Sequence, residues 1–162
     1  MSFDFILPAC NAETLLIKTI GFDTKNHQTG DGQVINLMDK KKFQDKLLIG
    51  IMDKPIGNNP SHVRTEFKDI DNNRFGIILK KKNHLRHYIV YINEVMEDWI
   101  VNVGNLLKIE RPFKNNDARF QAEMKRANHP NIIAYFSQIK QRNPQAFKLI
   151  NRHVNDIIKN KI

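Results

Sequence analysis

Asp53 closes the apolar run Leu47-Leu48-Ile49-Gly50-Ile51-Met52, and Glu13 follows the run from Phe3 to Ala9. Short apolar runs bounded by polar residues read as buried strands of a largely parallel sheet. Parallel strands bring their carboxyl ends to one edge, and ligands of open α/β sheets collect there. Two acids delivered to that edge suit a divalent cation, which takes oxygen ligands, or general acid/base work. A third acid, Glu97, flanks the apolar stripe of a later helix, whereas Glu94 and Asp98 face away from it. Acids in a first helical turn are also favoured by the helix dipole, whatever their function. His27 lies between the two strand-end acids in sequence and is a candidate polar site residue; a loop histidine bonded to backbone is its plainer reading.

Other chemistry finds no support. Gly30-x-Gly32 lacks the third glycine and the long preceding strand of a dinucleotide fingerprint and reads as a turn. There is no Walker loop, no nucleophile elbow and no zinc-spaced Cys/His set. His84 and His87 lie three apart across a turn and a strand start, a poor metal pair. Cys10, the only cysteine, sits at a strand end and reads as packing.

These residues must be positioned by alternating strands and helices. A first strand over Phe3–Ala9 leads to a helix over Ala12–Ile20, with Asn11 as its cap and Gly21 as its end. Residues Phe22–Gln28 could hold a short second strand. A helix carrying Val34, Leu37 and Met38 follows, then the central strand Leu47–Met52. The loop from Asp53 leads to Ser61, which could cap a short helix through Phe67. Phe75–Leu79 and His87–Ile92 read as strands flanking a solvated basic turn, Lys80-Lys81-Lys82-Asn83-His84. Glu94–Leu107 is the clearest helix, with Val95, Met96, Trp99, Ile100, Val103, Leu106 and Leu107 in one stripe. Helices then cover Asn116–Ala127, a segment from Pro130 and a segment after Pro144, the last two as a hairpin packed on the sheet. The predicted class is α/β, a mostly parallel sheet flanked by helices over residues 1–110, with a basic helical extension over 111–162 packed on it.

The chain has 162 residues, enough for a full core, and 41% apolar content, ordinary for a globular protein. No apolar run approaches the ~20 residues of a membrane span. The first residues lack the basic start of a signal peptide, and one cysteine permits no intrachain disulfide; both fit a cytoplasmic location. The net charge of +9 is uneven. Residues 1–105 carry 14 Lys/Arg against 13 acids, and residues 106–162 carry 12 against 4. The basic last third is either a solvated helical surface or a footprint for a polyanion, with Arg119, Lys125, Arg126, Lys140 and Arg142 as candidate phosphate contacts.

Taken together, a strand followed by Asn-Ala-Glu-Thr on a helix, a glycine-bearing turn and helix, Gly-Ile-Met-Asp at a strand end and Glu-Asp-Trp-Ile on a later helix resemble the Toprim domain of topoisomerases, primases and overcoming-lysogenization-type nucleases. The likeness is nearest to small stand-alone bacterial Toprim-like proteins, spans about residues 3 to 105 and rests on short motifs. It implies that Glu13 acts in acid/base chemistry or metal binding, that Asp53 is the first aspartate of a Mg²⁺-holding Asp-x-Asp, and that Glu97 corresponds to an acidic helix motif. Here the chain departs from the family: Pro55 stands where the second aspartate belongs, with Lys54 between. A lost oxygen ligand weakens Mg²⁺ binding. Asp69 or Asp71 is a candidate replacement, and Lys54 could contact a phosphate. The functional expectation is a Toprim-like protein that acts on or binds nucleic acid, with salt-sensitive binding and weak or absent Mg²⁺-dependent cleavage as a nuclease-like phosphodiesterase. The alternative is a non-catalytic regulatory or protein-interaction module, with a protein partner or a copy of itself on the Phe136 and Phe147 helices.

Overall fold

The computed structural model describes residues 3–54, 66–73 and 75–162. Five strands form one sheet: β1 Ile6–Pro8, β2 Leu48–Asp53, β3 Phe67–Asn72, β4 Ile77–Lys82 and β5 His87–Ile92. Their order is β1-β2-β5-β4-β3. β1 with β2 and β2 with β5 are parallel; β5 with β4 and β4 with β3 are antiparallel. The sheet is therefore mixed. Its parallel half holds the strands that end at the acids, and its antiparallel half is a meander returning to β5.

Six α-helices lie among the described residues: α1 Asn11–Thr19, α2 Asp31–Asp39, α3 Met96–Leu106, α4 Asp117–Arg126, α5 Pro130–Gln141 and α6 Gln145–Ile158. Cys10, not Asn11, caps α1, because the extended residue is one position earlier. Gly21 ends that helix at φ 107°, a conformation glycine adopts without Cβ strain. Asn116 caps α4 through its side chain, which accepts from the Arg119 N–H at 3.0 Å. Pro130 opens α5 at its first turn, whereas Pro144 is the cap of α6 and lies just outside it.

Side-chain alternation divides the core. In β5, Tyr88, Val90 and Ile92 face one layer, and Ile89 and Tyr91 face the other. The first layer contains α1, α3, α4, α5 and α6, so residues before and after position 110 share one apolar cluster. Among the described residues, α2 is the α-helix of the second layer, through Val34, Ile35 and Met38, with Phe43 packed beside it. α2 approaches so closely that a Cβ on Gly50 would lie 2.9 Å from Val34 Cγ1.

Several expected elements differ. Phe22–Gln28 forms no strand: a single bridge at Asp23 replaces it, and the segment is held by side chains such as Thr24, whose hydroxyl donates to the Ile6 carbonyl at 2.9 Å. Lys80, Lys81 and Lys82 are not a solvated turn. They are the last half of β4, partly buried, with Lys80 paired to Asp69 and Lys82 to Asp39 and Glu66. Phe67 begins β3 instead of ending a helix; most of the expected helix from Ser61 lies outside the described residues. No helix among the described residues is long and apolar enough to cross a membrane.

α3 and α5 touch at Gly104, where an added Cβ would collide with the Tyr135 hydroxyl. That hydroxyl donates to the Ile100 carbonyl at 3.3 Å. Gly104→Ala is expected to cost about 1–3 kcal/mol by overpacking. Urea denaturation measures it, and Tyr135→Phe in the same background should recover part of the loss. A neutral Gly104→Ala would contradict this packing.

Candidate functional site

Three helix starts meet at the carboxyl ends of β1 and β2. Ala9 N–H donates to the Ile51 carbonyl at 2.9 Å and Gly30 N–H to the Ala9 carbonyl at 2.7 Å, which brings the first turn of α2 against the end of β1. α1 begins directly after β1. α3 has no capping side chain of its own; Asp53 Oδ2 instead accepts from the Met96 N–H at 2.7 Å. Asp53 thus has a structural duty, capping α3 from the end of β2.

Glu13 is fully buried in the first turn of α1. Its Oε2 accepts from the Cys10 thiol, while Oε1 has no hydrogen-bond partner of normal geometry among the described residues. Burial, then the neighbouring charges of Asp53 and Asp31, push its pKa up to about 8. Burial also raises Asp53, opposed by the Met96 N–H and the Glu13 carboxyl. Asp31, at the start of α2, is raised to about 6 by burial and by Asp53. Glu97, on α3, is raised by burial and then by Asp53, and lowered by Lys125. Burial and the Glu13 charge raise the Cys10 thiol far enough to keep it protonated, so it is no nucleophile.

The structure therefore brings Glu13, Asp53 and Glu97 into one electrostatic neighbourhood and adds Asp31. Sequence reasoning passed over Asp31 because it stands between two glycines and reads as turn. Its position as the first residue of a helix, where carboxylates are favoured, was the available signal. Four acids at three helix starts would ordinarily titrate low. All four are raised, so burial and mutual repulsion outweigh the helix dipoles. Near neutral pH the Glu13–Asp53 pair keeps a proton, as closely spaced carboxylates do.

His27 is exposed at the rim, its Nδ1 3.2 Å from the Thr14 hydroxyl, which donates to the Cys10 carbonyl. Lys54 is exposed beside Asp53, its N–H donating to the Glu94 carbonyl at 3.1 Å. Pro55 lies outside the described residues. Asp69 and Asp71 are on β3, the strand farthest from β1; Asp69 pairs with Lys80, and Asp71 stands 3.2 Å from His153 Nε2. Neither is beside Asp53, three strands away.

The basic residues separate into distinct places. Asn11 Nδ2 donates to the Lys125 carbonyl at 3.0 Å, which seats the C-terminal end of α4, with Lys125 and Arg126, against the start of α1. Arg119 is a helix turn or more away, its guanidinium 4.3 Å from the Phe113 ring centroid. Lys140 lies with Ile20, Phe147 and Asn151 in a cleft at the far end of α1, and Arg142 caps the helix that carries Lys140. Of these five residues of the C-terminal helices, Lys125 is the one whose charge acts on an acid of the cluster, Glu97.

Among the described residues, no set of three or more His, Cys, Asp or Glu side chains is placed to hold one metal ion. The donors present nonetheless fit Mg²⁺ in its usual mode: it keeps several waters and takes one or two carboxylates together with substrate phosphates. Oε1 of Glu13 finds no donor among the described residues, and beside Asp53 it is where a cation or a shared proton is wanted. No family model matches this chain, and no curated protein or solved structure matches it.

Proposed function

We propose that this chain binds nucleic acid and holds Mg²⁺ at Glu13 and Asp53, as a Toprim-like protein with a reduced phosphodiester site. The observation that carries the reading is the buried Glu13 carboxylate, one oxygen unpartnered, against Asp53 at the strand ends. A bound Mg²⁺ supplies Lewis-acid polarisation of a phosphoryl oxygen. Without the ion Glu13, raised to about 8, holds a proton near neutral pH, and it would give that proton up on becoming a ligand. Asp53 stays fixed by the Met96 N–H. Asp31 and Glu97 add negative potential around the ion, and Lys125 offers a phosphate contact at the rim. With two close carboxylates and Pro55 in place of a third, cleavage is weak or absent, while binding to nucleic acid is measurable and falls steeply with salt.

The test is fluorescence anisotropy with a labelled duplex and single strand at two salt concentrations, alongside nicking of supercoiled DNA in Mg²⁺ and Mn²⁺. Salt-sensitive binding with slow or no nicking supports the proposal. Rapid nicking that disappears in Asp53→Asn would make the chain a full enzyme. Absence of binding at low salt would remove nucleic acid as the ligand.

One observation favours the second reading, an interaction module that pairs with a copy of itself. Leu106 is 81% exposed beside an apolar cavity of about 470 Å³ lined by Phe75, Trp99, Val103, Leu107 and Ala146. Phe136 and Phe147 do not serve this reading, because both are buried in the chain's own core. Sedimentation of the chain and of Leu106→Asp decides it: a dimer lost in the variant would favour pairing.

A further inference from the structure

The opposite end of the sheet carries a positive surface that segment-by-segment charge does not reveal. Residues 39–46 and 80–87 hold eight Lys and Arg against Asp39 and Asp45, though they lie within a region of nearly balanced charge. The fold presses these two segments together. Lys82 Nζ bonds Asp39 at 2.6 Å, His87 Nε2 lies 2.9 Å from the Phe43 carbonyl, and Leu48 N–H donates to the Arg86 carbonyl at 3.0 Å. Asp39 and Glu66 are occupied by Lys82, and Asp69 by Lys80. Lys40, Lys41, Lys42, Lys46 and Arg86 are exposed and have no ion pair among the described residues.

One detail makes this more than a scatter of lysines. The half-buried Phe43, in the short 3-10 turn Lys41–Phe43, draws two ammonium groups to one ring: Lys42 Nζ at 4.9 Å and Lys46 Nζ at 5.7 Å from its centroid. Like charges gathered on one ring with no carboxylate bonded to either are relieved by a shared anion. β2 runs from this end to Asp53, a length of about 17 Å at roughly 3.3 Å per residue. A mononucleotide at the acids cannot reach the patch. A polymer with a charge every few ångströms can.

We propose that the surface formed by Lys40, Lys41, Lys42, Lys46 and Arg86 is a phosphate-backbone contact for nucleic acid, separate from the acid cluster and from the basic C-terminal helices. It rests on nucleic acid being the ligand, as in the function proposed above, and adds where a long strand is gripped.

The test compares the full chain with the triple variant Lys41→Gln/Lys42→Gln/Lys46→Gln, all exposed positions, after circular dichroism has checked that both are folded. Probes are a 30-base-pair duplex, a dinucleotide, Mn²⁺ and vesicles containing phosphatidylserine. The expected result is about a tenfold or greater loss of duplex affinity and a salt slope shallower by about 2–3, one unit per lost phosphate contact. Dinucleotide and Mn²⁺ binding should not change. Unchanged duplex affinity and slope would overturn the proposal while leaving the acid-site reading intact. So would a loss seen only on vesicles, which would make the patch a membrane contact. Loss of Mn²⁺ binding in the parent chain would instead strike the acid-site reading and leave the patch standing.

Discussion

The contribution of Glu13 to stability should fall as pH rises from about 5 to about 8, the reverse of the usual trend for buried carboxylates in ion pairs. The sign follows from Glu13. Its folded pKa of about 8 exceeds its ordinary value of 4.5, so between those values the native state holds a proton that the unfolded chain has released. The free energy of unfolding then decreases with pH. The full span corresponds to roughly 3–5 kcal/mol, at about 1.4 kcal/mol per pH unit. Asp31 acts in the same direction at lower pH, between its ordinary 3.8 and about 6. Glu13→Gln keeps the shape and removes the charge. Urea denaturation at pH 5 and pH 8 should show the variant near the parent at pH 5 and several kcal/mol more stable at pH 8. Burial lowers the pKa of His87 and His153, which acts in the opposite direction below their ordinary value of 6.5, so the readout is the difference between parent and variant: a difference that does not grow from pH 5 to pH 8 would contradict the burial of Glu13 beside Asp53.

Trp99→Ala should be the most damaging single change in the core. Trp99 stacks on Phe147 of α6 with centroids 6.1 Å apart, and its indole N–H donates to the Phe75 carbonyl at 3.0 Å. It therefore joins α3, α6 and the turn before β4. Removing it leaves a cavity and takes one donor from the partly buried Phe75 carbonyl, a cost of about 3–5 kcal/mol. Because sheet and C-terminal helices share one cluster, the urea transition should stay single and shift as a whole. Two separated transitions would mean that the helices after residue 110 have a core of their own.

The elements that position the acids were legible because they obey simple periods. β1 and β2 are continuous apolar runs, as strands covered on both faces must be. α3 shows an unbroken apolar stripe, and the prolines of α5 and α6 stand at or just before the first turn. β3 was not legible. Phe67-Lys68-Asp69-Ile70-Asp71-Asn72 offers the core only Phe67, and a bulge between Asp69 and Asp71 breaks what alternation remains. Lys80–Lys82 looked like turn because three lysines in a row give no strand period; pairing with Asp69, Asp39 and Glu66, all distant in sequence or on an unrecognised strand, lets them lie in β4. The acid site was half legible. Glu13 and Asp53 follow from strand ends, but Asp31 depends on how α2 docks at the end of β1. The separation of Lys140 and Arg142 from the acids depends on the direction of α5 along α1, which no local pattern encodes.

Glu13 and Asp53 are proposed to share one divalent ion. Calorimetric titration of the apo chain with Mn²⁺ near pH 7, in two buffers of different ionisation heat, measures it most directly. One ion bound per chain is expected, with release of about one proton, because Glu13 is protonated at that pH and must ionise to become a ligand. Glu13→Gln should abolish both the binding and the proton release. Binding that persists in Glu13→Gln, or no binding by the parent at millimolar Mn²⁺, would contradict it.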